Sequence, residues 1–168
     1  MTPELFIEKW PGLRSQMRRD VADLLRLTAA SRDFLVHAGL PVDVGFNGVG
    51  FDVSGPAVRR HPARESLVQI SRPRIGLAAI CLDEAKDAHV VQLEAGARPA
   101  EAFLNSSVEQ HAECWLAWRT IVDSSSGESD TATAQRLRSA FQAVDTAAVA
   151  NDELPWAILI HEVEIGVL

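Results

Sequence analysis

Tyrosine is absent from the 168 residues, and cysteine occurs only twice, as Cys81 and Cys114. Neither cysteine belongs to a CxxC or other paired motif, so no disulfide framework or paired zinc ligands are spelled out. Two scattered thiols fit a reducing cytosol, and the expected location is cytoplasmic. No stretch reaches the roughly 18 uninterrupted apolar residues that a membrane-spanning helix needs. The first ten residues, MTPELFIEKW, have no cationic segment followed by an apolar run, so no signal peptide is expected. Asn105-Ser106-Ser107 then never meets a glycosylation machinery, although it has the sequon spacing.

What is present is an ordinary globular balance: 47% hydrophobic and 23% charged residues, with a net charge of -7. A chain of this length buries roughly 70% of its extended surface, enough for one core and one domain spanning residues 1–168. An acidic surface repels phosphates and favours a basic partner. No internal repeat or composition break marks a second domain.

Along the chain, Thr2 and Pro3 open a short helix that Pro11-Gly12 stops. Leu13, Met17, Val21, Leu24 and Leu25 recur near one face of a second helix. Ser31 to Ala38 predicts a third, with Phe34 and Leu35 inward, Gly39 in the left-handed cap and Pro41 barring continuation. The period then changes. VDVGF and VGFDV flank Asn47-Gly48, a dipeptide suited to a hairpin turn. Gly45, Gly48 and Gly50 do not make a phosphate loop, because no P-loop Lys-Ser/Thr or following helix accompanies them. Residues 54–74 carry five arginines and His61 without interleaved aromatics, which predicts a solvated connection and not a nucleic-acid surface. Ile75 to Leu82 and Val90 to Leu93 read as strands joined by the polar turn DEAKDA, with a short third strand at Ala102 to Leu104.

The segment FLNSSVEQHAECWLAWR, residues 103–119, concentrates the residues that invite a chemical reading. Ser106-x-x-Glu109 and Ser107-x-x-Gln110 have capping-box spacing. Val108, Ala112, Trp115, Trp118 and Val122 then gather on one helical face, with Glu109, Gln110 and Glu113 pointing the other way. The stretch therefore predicts a helix entrance followed by a core helix. His111 and Cys114 are three apart, but zinc wants three or four such ligands and no second pair exists, so no metal is expected. Cys114 beside two tryptophans is an inert thiol. There is no Gly-x-Ser-x-Gly elbow, and Glu162 and Glu164 diverge on a helix. No catalytic residue and no cofactor are expected.

DSSSGESDT, residues 123–131, predicts a flexible loop, and a helix from about Ala132 buries Leu137, Phe141 and Val144. The C-terminal DELPWAILIHEVEIGVL suits a helix with Trp156, Leu159, Ile160 and Val163 as its stripe, Asp152 as cap and Gly166 as stop. Its β-branched content also suits a strand. On a helix, Ile158 and Ile165 lie opposite the stripe, either covered or forming an exposed patch.

The order of elements resembles the SUKH superfamily, in particular its fourth immunity-protein subfamily. SRDFLVHAGLP, RIGLAAICLDE with AHVVQLE, FLNSSVEQHAECWLAW and LPWAILIHEVEIGVL correspond in order and spacing to its segments and cover nearly the whole chain. His111 stands where that family usually has a large apolar residue, often Phe, and is expected to be semi-buried. The resemblance implies an α+β fold, with a central, largely antiparallel sheet and helices packed around it. It also implies a non-enzymatic immunity protein that binds and neutralises a cognate polymorphic-toxin domain, often a nuclease or deaminase. Net charge of -7 suits a basic toxin. The residues named as partner-binding are Glu109, Glu113, Asp152 and Glu153. A regulatory or scaffold module of the same superfamily is the alternative, and a small hydrolase with groups assembled by the fold is a third. A hydrolase would show a concave pocket holding a histidine of perturbed pKa.

Overall fold

The computed structural model describes residues 1–46, 48–62, 64–71, 78–94 and 100–168. Helix α1 (Pro3–Lys9) begins as its sequence predicts, with the Thr2 hydroxyl accepting from the Leu5 N–H and Pro3 in the first turn. The single long helix expected from Leu13 onward does not form. Strand β1 (Arg14–Ser15) and the one-turn helix α2 (Arg19–Ala22) occupy that stretch. Met17, Val21 and Leu25 are buried, but Leu13 and Leu24 are 80% and 72% exposed. The backbone here is satisfied by neighbouring chain: the Met17 N–H donates to the Leu35 carbonyl. Helix α3 (Ala29–His37) starts two residues before the expected Ser31, because Thr28 is its cap. Gly39 then turns the chain at φ +73°, and a Cβ there would lie 2.3 Å from the Ser15 carbonyl oxygen. Strand β2 (Leu40–Pro41) pairs antiparallel with β1.

Asn47, half of the expected hairpin turn, lies outside the described residues. The flanking segments turn, since the Val44 N–H reaches the Val49 carbonyl and the Val49 N–H the Phe46 carbonyl. They do not form a ladder with each other. Phe51 instead donates to Pro41 and bridges to Ser71.

The main sheet is a five-stranded meander: β3 (Arg60–His61), β4 (Arg64–Gln69), β5 (Ala79–Asp83), β6 (His89–Leu93) and β7 (Glu101–Asn105), each antiparallel to the next. Two of these strands fall in the stretch predicted to be a solvated connection. Two of its arginines are paired with acids: Arg60 with Glu84, and Arg64 with Asp83 and Glu101. Ile75 to Leu77, the expected start of the next strand, lie outside the described residues, while the turn before β6 and the third strand stand where predicted. Val68, Ile80, Leu82, Val90 and Leu104 join the large core cluster with the helices, whereas Leu67, Cys81, Val91 and Leu93 form a smaller one.

Helix α4 (Val108–Ser124), helix α5 (Asp130–Val144), a 3₁₀ turn at Thr146–Val149 and helix α6 (Pro155–Glu164) complete the α+β fold. The Ser107 hydroxyl accepts from the Gln110 N–H and caps α4. Replacing Ser107 with alanine should lower stability by about 1 kcal/mol, read as a shift in the urea midpoint at unchanged slope. An unshifted midpoint would show the cap to be dispensable. The expected loop at residues 123–131 shrinks at both ends, because α4 continues to Ser124 and Ser129 caps α5. Val122 is exposed and leaves the core that the helical spacing gave it, while Val144 is half-buried and packs against the edge of that core. The C-terminal element is a helix. Pro155 occupies its first turn and Leu154 its cap position, so Asp152 does not cap it. Gly166 follows at φ +70°, and Ile158 and Ile165 are exposed.

Candidate functional site

The Asn-Ser-Ser segment and the two helices after it meet in a buried polar cluster centred on Asn105. Its Oδ1 accepts from His111 Nδ1–H at 2.8 Å and from Trp156 Nε1–H at 2.9 Å. Its Nδ2 donates to Asp145 Oδ2 at 3.4 Å and faces Cys114 Sγ at 3.5 Å. With Nδ1 donating, His111 Nε2 is left as an acceptor and takes the Trp115 Nε1–H at 3.1 Å. Asp145 also accepts from the Ser106 backbone N–H and hydroxyl and from the Ala147 N–H, tying the entrance of α4 to the exit of α5. Trp156 packs edge-on against Trp115 and Phe141, with ring centroids 4.8 and 4.7 Å apart.

This cluster corrects the reading of His111 as semi-buried. It is fully buried and both nitrogens are bonded. Burial pushes its pKa down to about 3. The perturbed histidine that a hydrolase would show is therefore present, but it is sealed in the core and lines neither of the cavities described below. Cys114 and Cys81 are also buried, and burial pushes both thiols up to about 12. No group of three metal-ligating side chains occurs among the described residues.

Among the described residues, two concave regions of several hundred Å³ open to the surface. The first, about 410 Å³ in volume, lies beside Leu24, Arg26, Arg60 and Glu84. Within it Arg60 pairs with Glu84, which also accepts from the Arg26 backbone N–H. The second is a groove of about 300 Å³ between α6 and the β6–β7 pair. Phe46, Ala102, Pro155, Ile158 and Leu159 make it apolar, Gln92 adds an amide, and Glu94, Glu153 and Glu162 supply carboxylates. None of these three carboxylates forms an ion pair or side-chain hydrogen bond with a described residue.

The four acids named from the sequence have unlike surroundings. Glu109 accepts from the Ser31 hydroxyl at 3.1 Å, and Glu113 lies 3.4 Å from the Met1 amino group. Gln110 donates to the Val144 carbonyl, so the outer face of α4 is engaged and not free as its spacing predicts. Asp152 is almost fully exposed, with Arg138 at 3.9 Å, and Glu153 lines the groove.

The sequence matches the family described as SUKH-4 immunity protein over residues 8–162. The chain belongs to that family. No curated protein and no solved structure matches it. The match takes in the seven described strands of this SUKH-4 protein, the Asn105 cluster and the groove, omitting the first seven and the last six residues of the chain. Its members are immunity proteins, a role generally without catalysis. At position 111 this SUKH-4 chain packs a histidine as if it were an apolar ring, edge-on to Phe51 at 5.4 Å, while bonding at both nitrogens. Sequence reasoning missed Asn105, Asp145, Glu94 and Glu162. A polar Asn on a strand ending in Phe103-Leu104 was the one available signal that something inside needs its amide.

Proposed function

We propose that this SUKH-4 protein neutralises a cognate toxin domain by forming a stoichiometric complex with it in the cytosol, the whole chain acting as one binding unit. The family match over residues 8–162 carries the reading. Two features support it. The buried histidine and cysteines have no solvent access for chemistry, and the acidic groove is furnished for a partner. A net charge of -7 favours a basic toxin, whose encounter it would accelerate.

Glu109, Glu113, Asp152 and Glu153 are proposed to contribute to that encounter in different ways. Asp152 and Glu153 are exposed and available for contact. Glu109 and Glu113 act through the long-range field, since each already has a partner within the chain. The test is co-expression and co-purification with a candidate toxin domain, chosen by reading the genes adjacent to this one. A 1:1 complex that abolishes toxin activity is expected, and an active toxin that stays unbound overturns the reading. Substituting lysine at Glu109 and Glu113 should slow association at low salt; an unchanged rate removes the pair from the account.

A further inference from the structure

We propose that the groove between α6 and the β6–β7 pair is the toxin-facing surface, and that it takes a basic protein segment with an apolar side chain at its centre. This rests on the immunity reading above and adds where the partner docks and what it presents.

The outer face of α6 is where the helix departs from ordinary surface design. Trp156, Leu159, Ile160 and Val163 spend the inward stripe, yet Ile158 and Ile165 remain 46% and 58% exposed. Together with Glu162 they recur at i, i+4 and i+7, one continuous outward stripe. Ile158 is only half covered and lines the groove, where it offers an apolar anchor for a partner, and Ile165 extends the exposed apolar stripe beyond the groove.

The carboxylates give the sign of that partner. Several acids elsewhere in the chain have cations of the chain beside them, among them Glu84 with Arg60, Asp83 with Arg64, Glu101 with Lys86 and Glu128 with Arg136. The groove has Glu94, Glu153 and Glu162 and no lysine or arginine among its described lining residues. With no cation among the described lining residues, this charge is complementary to lysine or arginine supplied from outside. The apolar side of the groove then favours a segment in which those cations flank a hydrophobic side chain. Such a segment gains both apolar burial on Ile158 and charge pairing at the rim.

The probe is the blocked hexapeptide Lys-Arg-Leu-Phe-Arg-Lys, titrated into the ¹⁵N-labelled protein at low salt and followed by amide shifts. Two counterparts run beside it, one with Gly-Gly in place of Leu-Phe and one with glutamate in place of every cation. Shifts should cluster at Gln92, Ala102, Ile158 and Glu162, and both counterparts should bind more weakly. The triple variant Glu94→Lys, Glu153→Lys, Glu162→Lys should weaken the basic peptide by about tenfold or more, three attractions having become repulsions. Its circular dichroism and thermal midpoint check that the fold is intact. Absence of binding, shifts scattered over other acidic surfaces, equal binding of the glutamate peptide, or an unaffected triple variant would each overturn the assignment. The same variant against the toxin separates the two readings. If wild type and variant neutralise it equally, the groove is wrong and the immunity reading stands. If wild type fails to bind it, the immunity reading falls whatever the peptide does.

Discussion

Replacing Asn105 with leucine should cost about 4 kcal/mol of folding stability, a third or more of what a domain of this size typically has. Leucine nearly matches the shape but cannot accept, so His111 Nδ1–H and Trp156 Nε1–H lose their shared partner inside the core. An orphaned buried donor costs about 1–3 kcal/mol, and two are created at once. Asp145 loses one donor but keeps Ser106 and Ala147, so its end of the cluster is less affected. Urea unfolding followed by tryptophan fluorescence measures the effect. A loss below about 1 kcal/mol would show that the two donors are not confined as described.

Acid should weaken the protein through His111. Its folded pKa is depressed by burial to about 3, against 6.5 for the free side chain. Below pH 6.5 the unfolded chain takes up a proton that the folded core refuses, so the contribution is whole above 6.5 and is lost as pH falls toward 3. At about 1.4 kcal/mol per pH unit the loss across that window is about 5 kcal/mol. His111→Phe separates this from other titrations. At neutral pH the variant should be less stable by about 1–3 kcal/mol, because Trp115 Nε1–H loses its acceptor. Below pH 6.5 its stability should decline less steeply than that of the wild type, and the two curves should converge. Parallel curves between pH 6.5 and 4 would show that His111 does not titrate in this way.

Where the sequence carries local signals, the fold follows them. Ser107 caps α4, Thr2 and Pro3 start α1, Gly39 closes α3, and Trp156 and Val163 face inward on α6. These features depend on contacts within a few residues, which spacing reveals. Strands β3 and β4 were illegible for a physical reason: their arginines are paired by acids that come from elsewhere in the sequence, Asp83 at the end of β5, Glu84 in the turn after it and Glu101 on β7. Leu13 and Leu24 misled because helical spacing cannot register that β1 finds a partner at Leu40 and Pro41. The Asn105 cluster joins residues up to 51 positions apart, and the groove collects Phe46, Glu94 and Glu162 from three separate segments. Of the four acids chosen from the sequence, Glu153 alone lies in the groove, since exposure along a helix says little about which surfaces are concave.

The order of the main sheet bears on how the chain assembles. Every strand of the meander pairs with the strand next to it in sequence, so each pairing closes only a short loop and takes little chain entropy. The sheet can thus grow strand by strand as synthesis proceeds. The Asn105 side-chain Oδ1, placed at the end of β7, waits for an indole that lies 51 positions further along the chain. The last helix closes the polar centre of the core, and the same helix lines the groove: completion of folding and completion of that surface are one event.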